Sequence, residues 1–308
     1  MESRVLAMDL GGTKSLIALV DGNGNVVYSR RKPSVFPIRK TEVIEQLASW
    51  VREMEQIGPF DRIGIGMAGQ VDGSQGVLIS TCLSDEMLEV PIAARLEQTT
   101  GYPVVADNDG VAALIGERWK GAARPYEHVV MLTIGTGLGG AAWERDRPVR
   151  GARGAALHVG HTILHYNGVP CGCGNRGCAE KYVSGTGIRE AYERMTGRSI
   201  PAEDVYKGYL QGDKNATAVI EAFLDQCAGV LSSMANLFNP QAFVLGGGVS
   251  ESLGEAEIAL LENKARVLSL PANRNFTLLK AALGNEAGVI GAAYMALHDL
   301  HGERRQPQ

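Results

Sequence analysis

The sequence predicts an α/β protein built from two related halves. Short β-type runs alternate with stretches of helical apolar spacing along its 308 residues. One arrangement also occurs twice, about 125 residues apart: a β run, a Gly/Thr turn, a second β run, a polar turn and a third β run. At this length, with 45% hydrophobic residues, the chain can bury a sizeable core as one large domain or two ordinary ones.

The first half opens with Arg4–Leu10, where apolar residues alternate. Asp9-Leu-Gly-Gly-Thr-Lys14 turns the chain into Ser15–Val20, and Asp21-Gly-Asn-Gly-Asn25 turns it again into Val26–Arg30. Three antiparallel strands with two tight turns are expected. Gly11 and Gly12 expose backbone N–H groups, Thr13 adds a hydroxyl and Lys14 a cation. Such a turn can hold phosphate, and it can equally be a plain hairpin. Thr41–Gln56 has helical spacing (Val43, Ile44, Leu47, Val51, Met54). Arg62–Met67 reads as a buried strand leaving through the glycine-dense Gly64–Asp72, which holds Gly69. Pro91–Thr100 is an expected helix and Pro103–Ala106 a strand. Asp107-Asn-Asp-Gly110 is the expected turn into a helix over Val111–Trp119. Ligands of α/β sheets bind at the carboxyl ends of strands, where Asp109 would be a natural general base. Asp and Asn are also favoured helix caps.

The second half repeats the plan. His128–Ile134 passes through Gly135-Thr-Gly-Leu-Gly-Gly140 into Ala141–Glu144, a polar turn and Val149. Two Gly/Thr hairpins, each containing Thr, suggest a cleft with a phosphate loop on each wall. Then His158–Glu180 gathers Cys171, Cys173 and Cys178, three of the five cysteines, with His161 upstream. One imidazole and three thiolates complete a tetrahedral zinc set with no position left for water, so the metal would be structural. Adjacent Cys-x-Cys residues are awkward disulfide partners. Val183-Ser-Gly-Thr-Gly187 precedes expected helices at Ile188–Met195 and Asp213–Phe238, the latter with a packing face of Ala, Leu and Met. Phe243–Leu245 reads as a strand. Gly246, Gly247 and Gly248 follow it and open a helix, letting a flat ligand lie against backbone. Phe276–Leu279 is a last strand, Ala287–Leu300 a closing helix with Gly288 and Gly291 on it, and 301–308 a polar tail. His128, His165, His298 and His301 acquire no role.

Composition excludes several classes. Net charge is −4, without a basic stripe carrying aromatics, which argues against a nucleic-acid partner. No apolar run of roughly 18 residues suggests a membrane span. The N-terminus lacks signal-peptide architecture, so a cytoplasmic protein is expected, where thiols persist.

Together, Asp9-Leu-Gly-Gly-Thr-Lys14, Asn108-Asp109, Ile134-Gly-Thr-Gly-Leu-Gly-Gly140, Val-Gly-His161, Cys-Gly-Cys-Gly-Asn-Arg-Gly-Cys-Ala-Glu180 and Leu245-Gly-Gly-Gly resemble the ROK (repressor, open reading frame, kinase) sugar kinases. The resemblance covers nearly the whole chain, and the Cys motif with its preceding His is its most specific part. It implies a two-domain α/β fold, actin/hexokinase-like (ribonuclease H-like), with an ATP cleft between the domains and a zinc-stabilised loop. The smaller domain would hold residues 1–110 plus about 290–308, and the larger one 111–289. The implied activity is ATP:hexose 6-phosphotransfer of glucokinase or hexokinase type, with Mg²⁺ carried with ATP, and the implied assembly is a homodimer. By the same resemblance Asp9, Gly11, Gly12, Thr13 and Lys14 face the phosphates and magnesium shell. Gly135, Thr136 and Gly137 form the second phosphate loop, and Gly246–Gly248 lies near adenosine. Asn108 and Asp109 meet the sugar, with Asp109 as catalytic base. Gly69, His158, His161 and Glu180 border the sugar, and His161 with Cys171, Cys173 and Cys178 binds zinc.

Two departures bear on the substrate. Many family kinases have Glu where this chain has His158, and some bacterial N-acetylmannosamine kinases of the family are similar in having His. An imidazole offers a hydroxyl one donor and one acceptor, unlike a carboxylate. The segment Ser80–Met87 also lacks the Asn-Leu-Pro-Gly-Trp-like sequence of family glucokinases. An acyl-hexosamine kinase is therefore the alternative. A sugar-sensing regulator without activity is more remote, because the phosphate turn at residue 9 leaves no room ahead of it for a helix-turn-helix.

Overall fold

The structure, a computed structural model, describes residues 3–298 apart from 37, 38, 40, 41, 82 and 85. In chain order the elements begin β1 (Arg4–Leu10), β2 (Lys14–Asp21), β3 (Val26–Pro33), α1 (Val43–Glu55), β4 (Arg62–Met67), β5 (Gln70–Asp72) and β6 (Val77–Ser80). Then come α2 (Ile92–Thr100), β7 (Val104–Asn108), α3 (Asp109–Lys120), β8 (His128–Ile134), β9 (Leu138–Glu144) and β10 (Arg147–Pro148). The remainder is α4 (Gly185–Thr196), α5 (Ala202–Leu210), α6 (Lys214–Phe238), β11 (Ala242–Gly246), α7 (Gly248–Ser252), α8 (Glu255–Leu268), β12 (Thr277–Lys280) and α9 (Ala287–His298).

Two compact units divide these elements. Unit one takes the described chain through Pro125, Arg147–Ala156 and the described residues from Asn285 onward; unit two takes Tyr126–Asp146 and Leu157–Gly284.

In unit one the strands lie in the order β3-β2-β1-β4-β7. The β1-β2 and β2-β3 pairs are antiparallel, β1-β4 and β4-β7 parallel. Val5, Leu6, Ala7 and Met8 of β1 are all fully buried, as expected of a strand covered on both faces. Edge strand β3 instead shows charge, and Glu53 of α1 pairs with its Arg30 and Lys32. The apolar stripe of α1 (Val43, Leu47, Val51, Met54) joins Leu6, Met8, Ile63 and Ile65 in one core cluster.

In unit two β9, β8, β11 and β12 lie in that order. The β8-β9 pair is antiparallel, β8-β11 and β11-β12 parallel. So β8 stands to β9 and β11 as β1 stands to β2 and β4, and the internal repeat read from the sequence is a repeat of strand order. Among the described residues only α6 is long and apolar enough to cross a membrane, and 61% of that window is buried inside the protein. Val219, Phe223, Cys227 and Leu231 are among its buried residues, so it is a core helix.

Some local expectations are corrected. No turn separates β7 from α3: the strand runs to Asn108 and the helix starts at Asp109. The Asn108 side chain caps the helix by accepting from Val111 N at 3.2 Å, so one residue ends the strand and begins the helix. The helix α4 starts at Gly185, ahead of Ile188, because Ser184 Oγ accepts from Gly187 N at 2.9 Å. Neither α5, α8 nor the β5-β6 pair was expected. The signal in α8 is weak, since only Glu257, Leu261 and Ala265 are buried in its 14 residues. Thr41, Cys82, Asp85 and the chain from Asp299, including His301 and the tail, lie outside the described residues.

Candidate functional site

In unit one the register of three parallel strands brings two carboxylates together. Asp9 on β1 is level with Gly66 on β4, and Gly66 is level with Asp107 on β7. A Cβ at Gly66 would lie 2.9 Å from Ala112 Cβ, 3.5 Å from Asp109 Cα and 4.0 Å from Asp9 Oδ1. The missing side chain there is what lets Asp9 and Asp109 share this end of the sheet. Asp109 Oδ1 accepts from Asn108 Nδ2 at 3.0 Å and Gly110 N at 2.9 Å. The Asp109 backbone N–H also bonds its own carboxylate, and no other residue among those described bonds Oδ2. Asn108 Nδ2 also donates to Gly69 O at 2.9 Å, which ties the glycine-dense exit of β4 to the junction. Burial pushes the Asp109 carboxyl above its ordinary range. Burial, then the Asp109 charge, lifts Asp9 from 3.8 to about 7, with Lys14 opposing. Asp9, a half-buried oxygen donor whose charge its surroundings disfavour, suits a hard divalent cation such as Mg²⁺.

The turn between β1 and β2 lies beside Asp9. Gly11 N donates to Lys14 O at 3.2 Å and closes it. Gly12, Thr13 and Lys14 are exposed, and the Gly12 and Thr13 amides have no partner among the described residues. Two consecutive free N–H groups with a nearby ammonium can receive a phosphate oxygen.

Unit two presents the corresponding turn. Gly135 N donates to Gly137 O at 3.0 Å, and the Thr136 and Gly137 amides again have no partner among the described residues. Here, however, the turn is braced. Gly135 O accepts from Gly185 N at 2.8 Å and Thr136 O from Thr186 N at 3.3 Å. Leu138 N donates to Glu180 Oε2 at 3.0 Å. Gly247, with φ +86°, passes so close that a Cβ would lie 2.6 Å from Ile134 O, whereas Cβ atoms at Gly135 and Gly248 would meet nothing within 4 Å. That leaves an open backbone face at Gly248.

The Cys-rich loop forms as expected. The ligand atoms of His161, Cys171, Cys173 and Cys178 all lie within 4.8 Å of one another. Cys171 Sγ is 3.8 Å from His161 Nδ1, and the Cys173 and Cys178 sulfurs are 3.6 Å apart. Tetrahedral zinc with these ligands would set edges of roughly 3.5–3.8 Å. Burial, then Cys173 and Cys171, pushes the Cys178 thiol up to about 12, a cost a cation would relieve. The donor set fits zinc.

His158 sits just before this cluster at the centre of an inverse γ-turn (φ −71°, ψ 62°), with Val159 N donating to Leu157 O at 2.7 Å. Leu157 itself is left-handed at φ +64°, a conformation that costs energy for a branched residue and often marks a working part of a protein. Burial, then the neighbouring His161, holds the His158 imidazole below its ordinary range, so it is neutral near pH 7.

The structure thus brings Asp9, Lys14, Asn108, Asp109 and Gly69 together in unit one, and Glu180 onto the Gly135–Gly137 turn in unit two. Sequence reasoning gave Glu180 to a sugar and missed its bond to Leu138. It also missed the ion pair between Arg150 and Asp107. Both join residues about 40 positions apart and leave no local signal.

The ROK family model matches residues 5–299. A glucokinase of Thermotoga maritima is 28% identical over 305 residues, spanning 94% of this chain and 96% of the relative. An N-acetyl-D-glucosamine kinase of Pectobacterium carotovorum subsp. carotovorum is 33% identical over 304 residues, spanning 94% and 98%. The crystal structure of a ROK family glucokinase from Streptomyces griseus in complex with glucose and AMPPNP superposes with a TM-score of 0.84 at 28% identity, covering 96% of this chain and 99% of that one. The fold is therefore the α/β, actin/hexokinase-like one expected from the motifs.

Proposed function

The chain belongs to the ROK family, and on that premise we propose that it is an ATP-dependent kinase acting on the 6-hydroxyl of a hexose. One observation carries this reading: Asp109 Oδ1 is held by Asn108 and Gly110 while Oδ2 is left for a substrate hydroxyl. A raised carboxyl so oriented suits a general base, which takes the hydroxyl proton as the bond to phosphorus forms. Asn108 and Gly69 fix that base and, with Glu180 and His161, are assigned to the sugar. Phosphoryl transfer otherwise needs positioning and charge neutralisation. The free amides of Gly12 and Thr13, those of Thr136 and Gly137, and the Lys14 ammonium are assigned to the phosphates. Gly246–Gly248 is assigned to adenosine. Mg²⁺ beside Asp9 would neutralise phosphate charge. His161, Cys171, Cys173 and Cys178 would hold a structural zinc.

A second reading, an acyl-hexosamine kinase, is favoured by His158. Its neutral ring offers one donor and one acceptor, which suits an acylamino group at least as well as two adjacent hydroxyls. The 33% identity to an N-acetyl-D-glucosamine kinase supports the same alternative.

The test is ADP release with glucose, mannose, glucosamine, N-acetylglucosamine and N-acetylmannosamine, for the natural protein and Asp109→Ala. The variant should lose about 10²–10⁴-fold in kcat. Turnover that survives the substitution would remove Asp109 as base. Turnover confined to acylated sugars would replace the hexose reading with the second one.

A further inference from the structure

Arg150 is used by none of the chemistry above. It lies in Arg147–Ala156, a stretch of unit one that the chain reaches from unit two and leaves for unit two. Its Nη1 pairs with Asp107 Oδ2. The Asp107 side chain is completely buried, and a buried carboxylate stripped of its cation is strongly destabilising. The surrounding backbone is shaped around the pair. A Cβ at Gly73 would lie 2.7 Å from the Asp107 carboxylate, and one at Gly154 would lie 2.6 Å from Val71 O. Arg150 Nη2 is buried and has no hydrogen-bond partner among the described residues. The Arg150 side chain keeps 19% of its surface exposed, and among the described residues its guanidinium is committed to this carboxylate.

Asp107 passes the constraint on. Its Oδ1 accepts from Asn108 N at 2.8 Å. Asn108 then holds Val111 N through Oδ1, and Gly69 O and Asp109 Oδ1 through Nδ2. Arg150, Asp107, Asn108 and Asp109 form one continuous chain of polar contacts that ends on the base.

We propose that Arg150 is a positioning residue for phosphoryl transfer: through Asp107 it fixes the Asn108–Asp109 junction and so aims Asp109 Oδ2. This rests on the reading of Asp109 as the general base. A buried pair serving stability alone predicts a different outcome. It would lower the melting temperature of its variants and leave kcat of the folded protein unchanged.

The experiment compares full-length, metal-loaded natural protein with Arg150→Met, Arg150→Lys and the double variant Asp107→Asn/Arg150→Met, each well below its melting temperature. Arg150→Met should lose about 10- to 100-fold in kcat, with sugar KM changed by less than about threefold, because misplacing a base by an ångström costs that much in rate. Arg150→Lys keeps a cation on Asp107 and should recover most of the loss. The double variant buries no charge, so its melting temperature should return toward that of the natural protein while kcat stays low. If Arg150→Met does not fold, the double variant carries the test. Normal kcat in either folded variant, or a rise in KM alone, overturns the proposal. Amide hydrogen exchange at Asn108 and Val111 supplies a readout that does not need activity. It should quicken in Arg150→Met and the double variant and stay slow in Arg150→Lys. A natural protein that phosphorylates no sugar would sink the kinase reading, and unchanged exchange would then still sink the positioning of the junction by Arg150.

Discussion

The β1-β2 and β8-β9 turns share a strand plan and a pair of free amides, yet differ in what holds them. Among the described residues the first turn is closed by Gly11 N on Lys14 O and touches its surroundings through Ser34 Oγ on Gly11 O, at 2.7 Å, with Ala68 N on Leu10 O at 3.0 Å just before it. The second receives three further hydrogen bonds, from Gly185, from Thr186 and to Glu180. The first brings a cation, Lys14, and a neighbouring acid, Asp9, that disfavours its own charge. The second has no cation in its sequence, and the acid beside it, Glu180, is tied to Leu138 N. One motif can thus serve as an electrostatic partner in one place and as a rigid backbone platform in the other.

The largest effect that would sharpen this contrast is loss of the zinc proposed for His161, Cys171, Cys173 and Cys178. Cys178→Ser or exhaustive chelation should cost about 4 kcal/mol or more in stability, read by thermal unfolding. Exchange at the Leu138 amide, held by Glu180, should quicken, while the Gly11 amide, closed within its own turn, should not change. Equal quickening at both would erase the distinction. Next is Gly137→Ala. Its Cβ would fall on the tethered Glu180 carboxylate, with Cδ at 3.1 Å. Overpacking of this kind costs about 1–3 kcal/mol and should raise the KM for ATP.

A smaller effect comes from pH. Between 3.8 and about 7 the folded protein keeps a proton on Asp9 that the unfolded chain has released. Metal-free stability therefore falls as pH rises through that window. A cation beside Asp9 removes the penalty, so Mg²⁺ should raise the melting temperature by about 2–4 °C more above the window than within it. Equal shifts would place the metal elsewhere. The smallest expected effect is Gly12→Ala, whose Cβ would meet the Leu83 side chain, its methyl groups at 3.1 Å. A side-chain end can yield a few tenths of an ångström, so the change should stay within about 0.5 kcal/mol. If it costs as much as Gly137→Ala, the first turn is as tightly fitted as the second.

Much of this was legible in the sequence because it is local. Glycine turns, alternating apolar runs and the His161–Cys178 spacing each carry their own signal, and the twofold strand order follows from noticing that one pattern recurs. What escaped was lateral. The meeting of Asp9 with Asp109 depends on the register of β1, β4 and β7 and on the absence of a side chain at Gly66. The Glu180–Leu138 and Arg150–Asp107 contacts depend on loops returning to distant strands. The end of β7 was misplaced because Asn108 serves both elements, and propensity alone favours a turn there. The helix α8 was missed because it buries so few apolar residues.

Glu180 stands two residues beyond Cys178 and bonds to the foot of the second turn. If the loop holds zinc as proposed, that short tether would make metal content a hidden variable of any preparation. Protein captured on a chelating resin, or stored with EDTA, would be a mixture of clamped and unclamped molecules. Its specific activity would then report resin chemistry as much as sugar preference, so substrate rankings for this protein need a zinc stoichiometry beside them.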